Sequence, residues 1–267
     1  MKLSFIGGGT MAEAILNGIL QAGLGNPSDI VVGEIVEARR KYLSDTYGII
    51  TTSDNIKAVQ NADLTVLSIK PQDLESVSNT LKGQFKRNQS VVSIIAGASL
   101  TTLSQYIGHE EIIRVMPNTP AQIGYGMSVW TSAPAVEGAN IDLTQSILAT
   151  IGEEIYVNDE KYLDMATGLS ASGPAYVFLI IEALIDAGVY VGLPRDMARL
   201  LALQTMYGST KLAMETGSHP AQLKDMVVSP GGTTAEGVQV LEKCGVPAAL
   251  IEAVNSSYLK SIALGKK

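Results

Sequence analysis

One cysteine and two histidines stand among 267 residues. With Cys244 alone, an internal disulfide framework is excluded, and the chain suits a reducing compartment. His109 and His219, without a closely spaced Cys pair, are too few for a His/Cys metal site, so no metal is expected. Positive charge is also scarce: 19 Lys and Arg face 26 Asp and Glu, for a formal net charge of -7. No long basic run occurs, which removes the electrostatic footprint of a nucleic-acid partner. Residues 1–6 hold one basic side chain and run straight into glycines, too short an apolar stretch for a signal peptide. The most apolar segment, 175–193, carries Glu182 and Asp186 near its middle. Two acids there argue for a helix packed on protein and against a membrane span. A soluble cytoplasmic protein is expected.

Hydrophobic residues, at 46%, are plentiful enough for a substantial core. Up to residue 160 short apolar runs alternate with helical ones. Strands are expected at 3–6, 30–32, 49–51, 64–69, 90–95 and 112–116, with late edge strands at 127–131 and 155–157. Helices are expected at 11–22, 37–47 and 55–61. That alternation predicts a parallel sheet covered on both faces. Beyond residue 160 strand patterns stop, and helices are expected at 173–191, 195–215, 221–227, 233–244 and 248–263, with Pro or Gly at most joints. The predicted class is α/β: an N-terminal Rossmann-type doubly wound sheet (1–160) followed by an all-α C-terminal domain (161–267). The apolar first helix of the second domain calls for a partner subunit to cover it.

Gly7-Gly8-Gly9-Thr10-Met11-Ala12 lies between the first strand and the first helix. In that context Gly7 makes the tight turn, Gly9 lets backbone approach a pyrophosphate, and Ala12 lets helix pack on strand. Free N–H groups at the helix start favour phosphates, so a dinucleotide cofactor is expected. The end of the second strand selects between cofactors. Glu34 would bind ribose hydroxyls and repel a 2′-phosphate, whereas Arg39 and Arg40 would either meet that phosphate or form a solvated helix face. Glu34 favours NADH, with NADPH left open. Ser68-Ile69-Lys70-Pro71 and Ala96-Gly97 follow later strand ends, where ligands bind in such sheets.

In the helical half, Ser229-Pro230-Gly231-Gly232-Thr233-Thr234 opens a helix. Bare N–H groups, two threonines and the positive helix terminus suit a carboxylate; a simple N-cap would not require Gly-Gly. Neither His109, in a polar loop, nor His219, before a proline, reads as a proton donor. A substrate that already carries a protonated C=N bond would need little acid help and mainly orientation.

These motifs, with Lys70-Pro71-Gln72, residues 114–120, residues 172–176 and residues 223–234, make the whole chain resemble the pyrroline-5-carboxylate reductase family. The resemblance implies reduction of 1-pyrroline-5-carboxylate to L-proline by NADPH or NADH. It implies a homodimer through the helical domain, often within a larger ring such as a decamer. It assigns Thr234 to the substrate nitrogen, as the catalytic contact, and Ser229, Gly231, Gly232 and Thr233 to the substrate carboxylate. Gly7, Gly8, Gly9, Thr10, Met11, Glu34, Asn55, Ser68, Ile69, Lys70, Pro71, Ala96 and Gly97 are assigned to the cofactor. Glu34 stands where many relatives carry a neutral or basic residue, and Ala171 replaces a usual glycine. Two other readings compete. A hydroxyacid dehydrogenase of the same plan would want a lysine on the first long helix, and 175–191 has none. An inactive dinucleotide sensor would not need the intact loop at 229–234.

Overall fold

The computed structural model describes residues 1–265. Two compact units divide the chain: Met1–Ser172 with the chain from Ser256 onward, and Gly173–Asn255. In the first, strands β1 (Leu3–Ile6), β2 (Ile30–Gly33), β3 (Ile50–Thr52), β4 (Leu64–Leu67), β5 (Ser90–Ser93), β6 (Ile112–Met116), β7 (Gly126–Ser132) and β8 (Gly152–Tyr156) form one sheet. Its order is β3-β2-β1-β4-β5-β6-β7-β8. Every neighbouring pair is parallel except β6 with β7. The order reverses beside β1, which places a crevice at the carboxyl ends of β1 and β4.

Period-2 alternation sends successive side chains to opposite faces. Leu3 and Phe5 of β1, Val66 of β4, Val92 of β5 and Val115 of β6 share a core with Ile15, Leu16 and Ile19 of α1 (Thr10–Gln21). Leu43 of α2 (Glu37–Tyr47) and Leu148 of α6 (Gly138–Ala149) close the same layer. On the other face Ile6, Leu67 and Val91 pack with Val59 of α3 (Asn55–Val59), Leu74 of α4 (Leu74–Leu81) and Leu103 of α5 (Leu100–Ile107). Ser4 and Thr65, both buried, satisfy one another through a 2.8 Å hydroxyl contact between β1 and β4.

Several expectations need adjustment. The strands expected to reach Ile69 and Ile95 end at Leu67 and Ser93, where the β4–β5 ladder stops. Ile95 stays buried, but in the loop that follows; apolarity there marks burial without pairing. Strand β8 starts three residues earlier than its apolar patch, because Gly126 pairs with Gly152.

The helix expected to open at Gly173 is preceded by helical chain from α7 (Lys161–Ala166) through a π-helical stretch, Thr167–Ala171. Ser172 N–H reaches the Thr167 carbonyl at 3.0 Å, the wider i→i+5 spacing. Pro174 has no N–H to offer the carbonyl four residues back, that of Ser170. Asn118 supplies the donor instead: its Nδ2 bonds the Ser170 carbonyl at 3.2 Å. The compact units separate at Ser172/Gly173, with Asp164 on the first side, tied to Arg114 of β6 and to Ser261.

The second unit holds α8 (Gly173–Tyr190), α9 (Arg195–Thr216), α10 (Pro220–Val227), α11 (Thr233–Lys243) and the first half of α12 (Val246–Gly265). Gly188 lets α8 approach α9 closely: a Cβ there would lie 2.8 Å from that of Ala198. No residue of α8 is buried, and in α9 only Ala198 and Ala202 are. Phe178, Leu179, Leu200 and Leu201 stand exposed, an apolar surface far larger than scattered single residues.

Candidate functional site

The turn after β1 is shaped by two close approaches. Gly7 has φ +94°, and a Cβ on it would sit 2.7 Å from the Ser68 carbonyl oxygen. Ser68 is bound to the same turn: its Oγ donates to the Gly7 carbonyl at 2.7 Å, and its N–H to that of Ile6 at 2.9 Å. Ile69 Cγ2 flanks Gly7. Gly8 packs above Leu43 and Val32, where a Cβ would meet Leu43 Cδ1 at 2.7 Å. Gly9 differs from both. It caps α1 in an extended conformation with no side-chain cap, and among the described residues nothing lies within 4 Å of where its Cβ would be. Thr10 and Met11 begin α1 beside this open space, whose unoccupied first-turn amides suit a pyrophosphate. The residues present therefore fit a dinucleotide.

At the end of β2, Glu34 is already engaged. Its Oε2 accepts the Gly8 N–H and its Oε1 the Val36 N–H, both at 2.8 Å. The carboxylate thus lies against the glycine turn, the position that reads a ribose. Asn55 joins the same corner, its Oδ1 over Gly33. Arg39 and Arg40 form neither a solvated face nor an idle phosphate clamp. Arg39 Nε donates to the Gly8 carbonyl and its Nη2 to Glu13. Arg40 Nη1 donates to the carbonyls of Glu34 and Ile35, at 2.7 and 2.9 Å. Arg40 thus holds the β2–α2 loop, while Arg39 ties α2 to the glycine turn and to α1.

Glu13, in the first turn of α1, is not among the residues picked out from the sequence, although an acid beside a turn expected to take phosphates signals a local cation. Its carboxylate receives Arg39 and the hydroxyls of Tyr42 and Tyr47. Burial raises the Glu13 pKa, but the hydrogen bonds from Arg39, Tyr47 and Tyr42 outweigh it and leave it below the ordinary 4.5. Burial and the bond to Glu13 push Tyr47 up to about 12. A depressed carboxylate stabilises the fold above its unfolded pKa and loses that contribution as pH falls through the folded one. Glu13→Gln is expected to lower the melting temperature by roughly 2–4 °C at pH 7, for an interaction of about 1 kcal/mol. The difference from the parent should shrink as pH drops below 4.5. Melting curves that stay equally far apart at pH 3 and pH 7 would rule out this role.

Lys70 is exposed and precedes a 3₁₀ turn at Pro71–Asp73. After β5, Ala96 leads into Gly97, which has φ +77°. Ser68–Pro71 and Ala96–Gly97 leave the carboxyl ends of the adjacent parallel strands β4 and β5, so the sheet brings them to one edge with the glycine turn after β1. Among the described residues no group of three or more His, Cys, Asp or Glu is placed to hold a metal.

The loop before α11 belongs to the second unit. Gly231 has φ +68° and Gly232 caps α11 without a side-chain hydrogen bond. A Cβ on Gly232 would meet the Ser229 Oγ and lie 3.1 Å from the Ser229 carbonyl oxygen, so glycine lets the turn close tightly on Ser229. Thr233 and Thr234 form the first turn of α11, with Thr234 half-buried and Ser229 and Gly231 exposed. Among the described residues, no hydrogen bond is made by the hydroxyls of Ser229, Thr233 or Thr234. The result is a helix start with bare amides flanked by uncommitted hydroxyls, chemistry matched to a carboxylate next to a polar atom. The histidines are committed elsewhere: His219 accepts the Ala221 N–H at the start of α10, and His109 Nε2 pairs with the Gln89 carbonyl.

Residues 160–264 match the family model described as pyrroline-5-carboxylate reductase dimerisation, and residues 2–97 match one described as NADP oxidoreductase, coenzyme F420-dependent. A pyrroline-5-carboxylate reductase of Synechocystis sp. is 46% identical over 267 residues, spanning 100% of this chain and 99% of the relative. Another, from Pisum sativum, is 43% identical over 259 residues, 97% of this chain and 94% of the relative. Among solved structures, Plasmodium falciparum pyrroline carboxylate reductase with NADP bound aligns with a TM-score of 0.91 at 33% identity, covering 99% of this chain and 98% of that one.

Proposed function

Because the chain belongs to the pyrroline-5-carboxylate reductase family, we propose that it reduces 1-pyrroline-5-carboxylate to L-proline with NADPH or NADH, the last step of proline biosynthesis. The observation that carries this reading is the start of α11, where first-turn amides without a side-chain cap meet the hydroxyls of Thr233 and Thr234. A protonated cyclic imine requires no further acid. When bound, the dihydronicotinamide supplies a hydride to the imine carbon. The C=N π pair then passes to a nitrogen that already holds its proton, leaving a secondary amine. Ser229, Gly231, Gly232 and Thr233 hold the substrate carboxylate, and the Thr234 hydroxyl orients the ring nitrogen. Gly7, Gly8, Gly9, Thr10 and Met11 cradle the pyrophosphate; Glu34 and Asn55 face the adenosine ribose. Ser68, Ile69, Lys70, Pro71, Ala96 and Gly97 line the rest of the dinucleotide.

The uncovered apolar face of α8 and α9 supports a homodimer through the helical unit, which in turn builds a larger ring such as a decamer. The helical run 161–190 is long and apolar enough to cross a membrane by length and composition. Glu182 and Asp186 within it favour a subunit interface instead. A cytoplasmic, membrane-free enzyme without nucleic-acid partners follows from this reading.

Oxidation of NADH and NADPH with 1-pyrroline-5-carboxylate tests the activity; absence of turnover with both would sink it. In the same assay Glu34→Ala is expected to shift the NADPH-to-NADH ratio of kcat/KM toward NADPH by about tenfold, since a carboxylate near a 2′-phosphate repels it. A ratio left in place would remove Glu34 from cofactor selection.

A further inference from the structure

Arg114, on β6, belongs to none of the residue sets assigned to cofactor or substrate. Its side chain is 2% exposed and paired with two carboxylates: Nη1 donates to Glu160 Oε1 and Nη2 to Asp164 Oδ1, each at 2.9 Å. Its Nε, also buried, has no partner among the described residues. Burying a guanidinium carries a desolvation penalty of several kcal/mol, and an apolar side chain of similar size often folds as well or better. Stability alone does not account for this residue.

What the two carboxylates hold is more telling. Glu160 Oε1 also accepts the backbone N–H of Leu100, the first residue of α5, at 2.7 Å. Asp164 Oδ1 also accepts the hydroxyl of buried Ser261, in α12, at 2.8 Å. Both arms lead to one place. Leu100 lies three residues after Gly97 in the loop that leaves β5. Leu264, one turn beyond Ser261, packs onto Gly97 itself: a Cβ on Gly97 would be 2.8 Å from Leu264 Cβ, and one on Gly265 would be 2.6 Å from the Gly97 oxygen. Ser99 Oγ caps α5 further in, accepting the Thr102 N–H at 3.0 Å, so of the α5 amides Glu160 serves only that of Leu100, where loop meets helix. The Glu160 arm holds the loop's exit at the first residue of α5, and Ser99 caps the turn that follows.

We propose that Arg114, acting through Glu160 and Asp164, is a positioning residue that sets the 96–99 loop from both sides and so tunes affinity for NAD(P)H without touching it. This rests on the reading of Gly97 as a cofactor contact. The arginine orients both carboxylates; without it, each is free to turn toward water and release its second donor.

The test measures the dissociation constants of NADPH and NADH by titration calorimetry on the full chain, with kcat and both KM values. Glu160→Ala removes charge and acceptor and should weaken cofactor binding about tenfold, the effect of one charge-assisted hydrogen bond. Glu160→Gln keeps an oxygen for Leu100 and should recover most of that loss. Ser261→Ala, on the other arm, should weaken binding by about threefold, a neutral donor lost. In all three, kcat at saturating cofactor and KM for the imine should stay within about twofold of the parent. Arg114→Met should show the largest rise; should it not fold, the Glu160 and Ser261 variants carry the test alone. Gly97→Ala separates the two levels of the argument. If Gly97→Ala binds cofactor like the parent, the loop is no cofactor contact and both readings fall. If Gly97→Ala weakens binding while Glu160→Ala does not, or if Glu160→Ala lowers melting temperature and kcat at an unchanged dissociation constant, the positioning role is overturned and the loop reading survives.

Discussion

Gly9→Ala is expected to bind NAD(P)H about 10²-fold more weakly while costing less than about 1 kcal/mol of stability, the modest penalty of exchanging one uncapping residue for another. The reasoning turns on what glycine does at each position of one turn. Gly9 has an ordinary extended backbone, and a Cβ on it would touch nothing. Nothing among the described residues asks for glycine there, so the requirement comes from whatever approaches the α1 amides. Gly7 is the opposite case. With φ +94° and a Cβ 2.7 Å from the Ser68 carbonyl oxygen, Gly7→Ala meets backbone that cannot step aside. Left-handed strain and overpacking together should remove about 2–4 kcal/mol from the fold. Thermal melts paired with cofactor titrations separate the two. Parent-like affinity in Gly9→Ala would mean that the pyrophosphate does not lie on this turn.

The features legible in the sequence are those that local pattern dictates. Apolar runs at 3–6 and 112–116 became β1 and β6 because buried parallel strands need apolar side chains on both faces. The glycine turn was legible because three successive glycines between a strand and a helix leave few alternatives. Loop residues such as Ile95 misled for the same reason strands succeeded: apolarity reports burial, and Ile95 is buried without a ladder partner. The π-helical stretch was invisible because its stabilising donor, Asn118, lies 52 residues from Ser170. Glu34 was legible as an acid after β2, but that both its oxygens are held by backbone amides of Gly8 and Val36 depends on how the turn and strand end meet. Arg114 carried a signal that passed unused. An arginine inside the apolar run Ile112–Met116 has to be buried, and a buried guanidinium has to be paired.

Thr234→Ala is expected to lower kcat by about 10²-fold, in the range found when one oriented donor to a reacting group is removed, with NAD(P)H affinity within about twofold of the parent. The hydroxyl is half-buried on the first turn of α11 and engaged by no other side chain among the described residues. The histidines serve other contacts: His219 Nδ1 accepts the Ala221 N–H at the start of α10, and His109 Nε2 pairs with the Gln89 carbonyl. The methyl group of threonine also packs, so Thr234→Ser separates hydroxyl from shape and should retain most of the turnover. Thr233→Ala, one residue earlier, removes a hydroxyl assigned to the substrate carboxylate and should raise KM for the imine more than it lowers kcat. Unchanged kcat in Thr234→Ala would take this hydroxyl out of the reaction. Equal losses in Thr234→Ser and Thr234→Ala would assign the effect to packing of the α11 start, because the serine variant still presents its oxygen to the ring nitrogen.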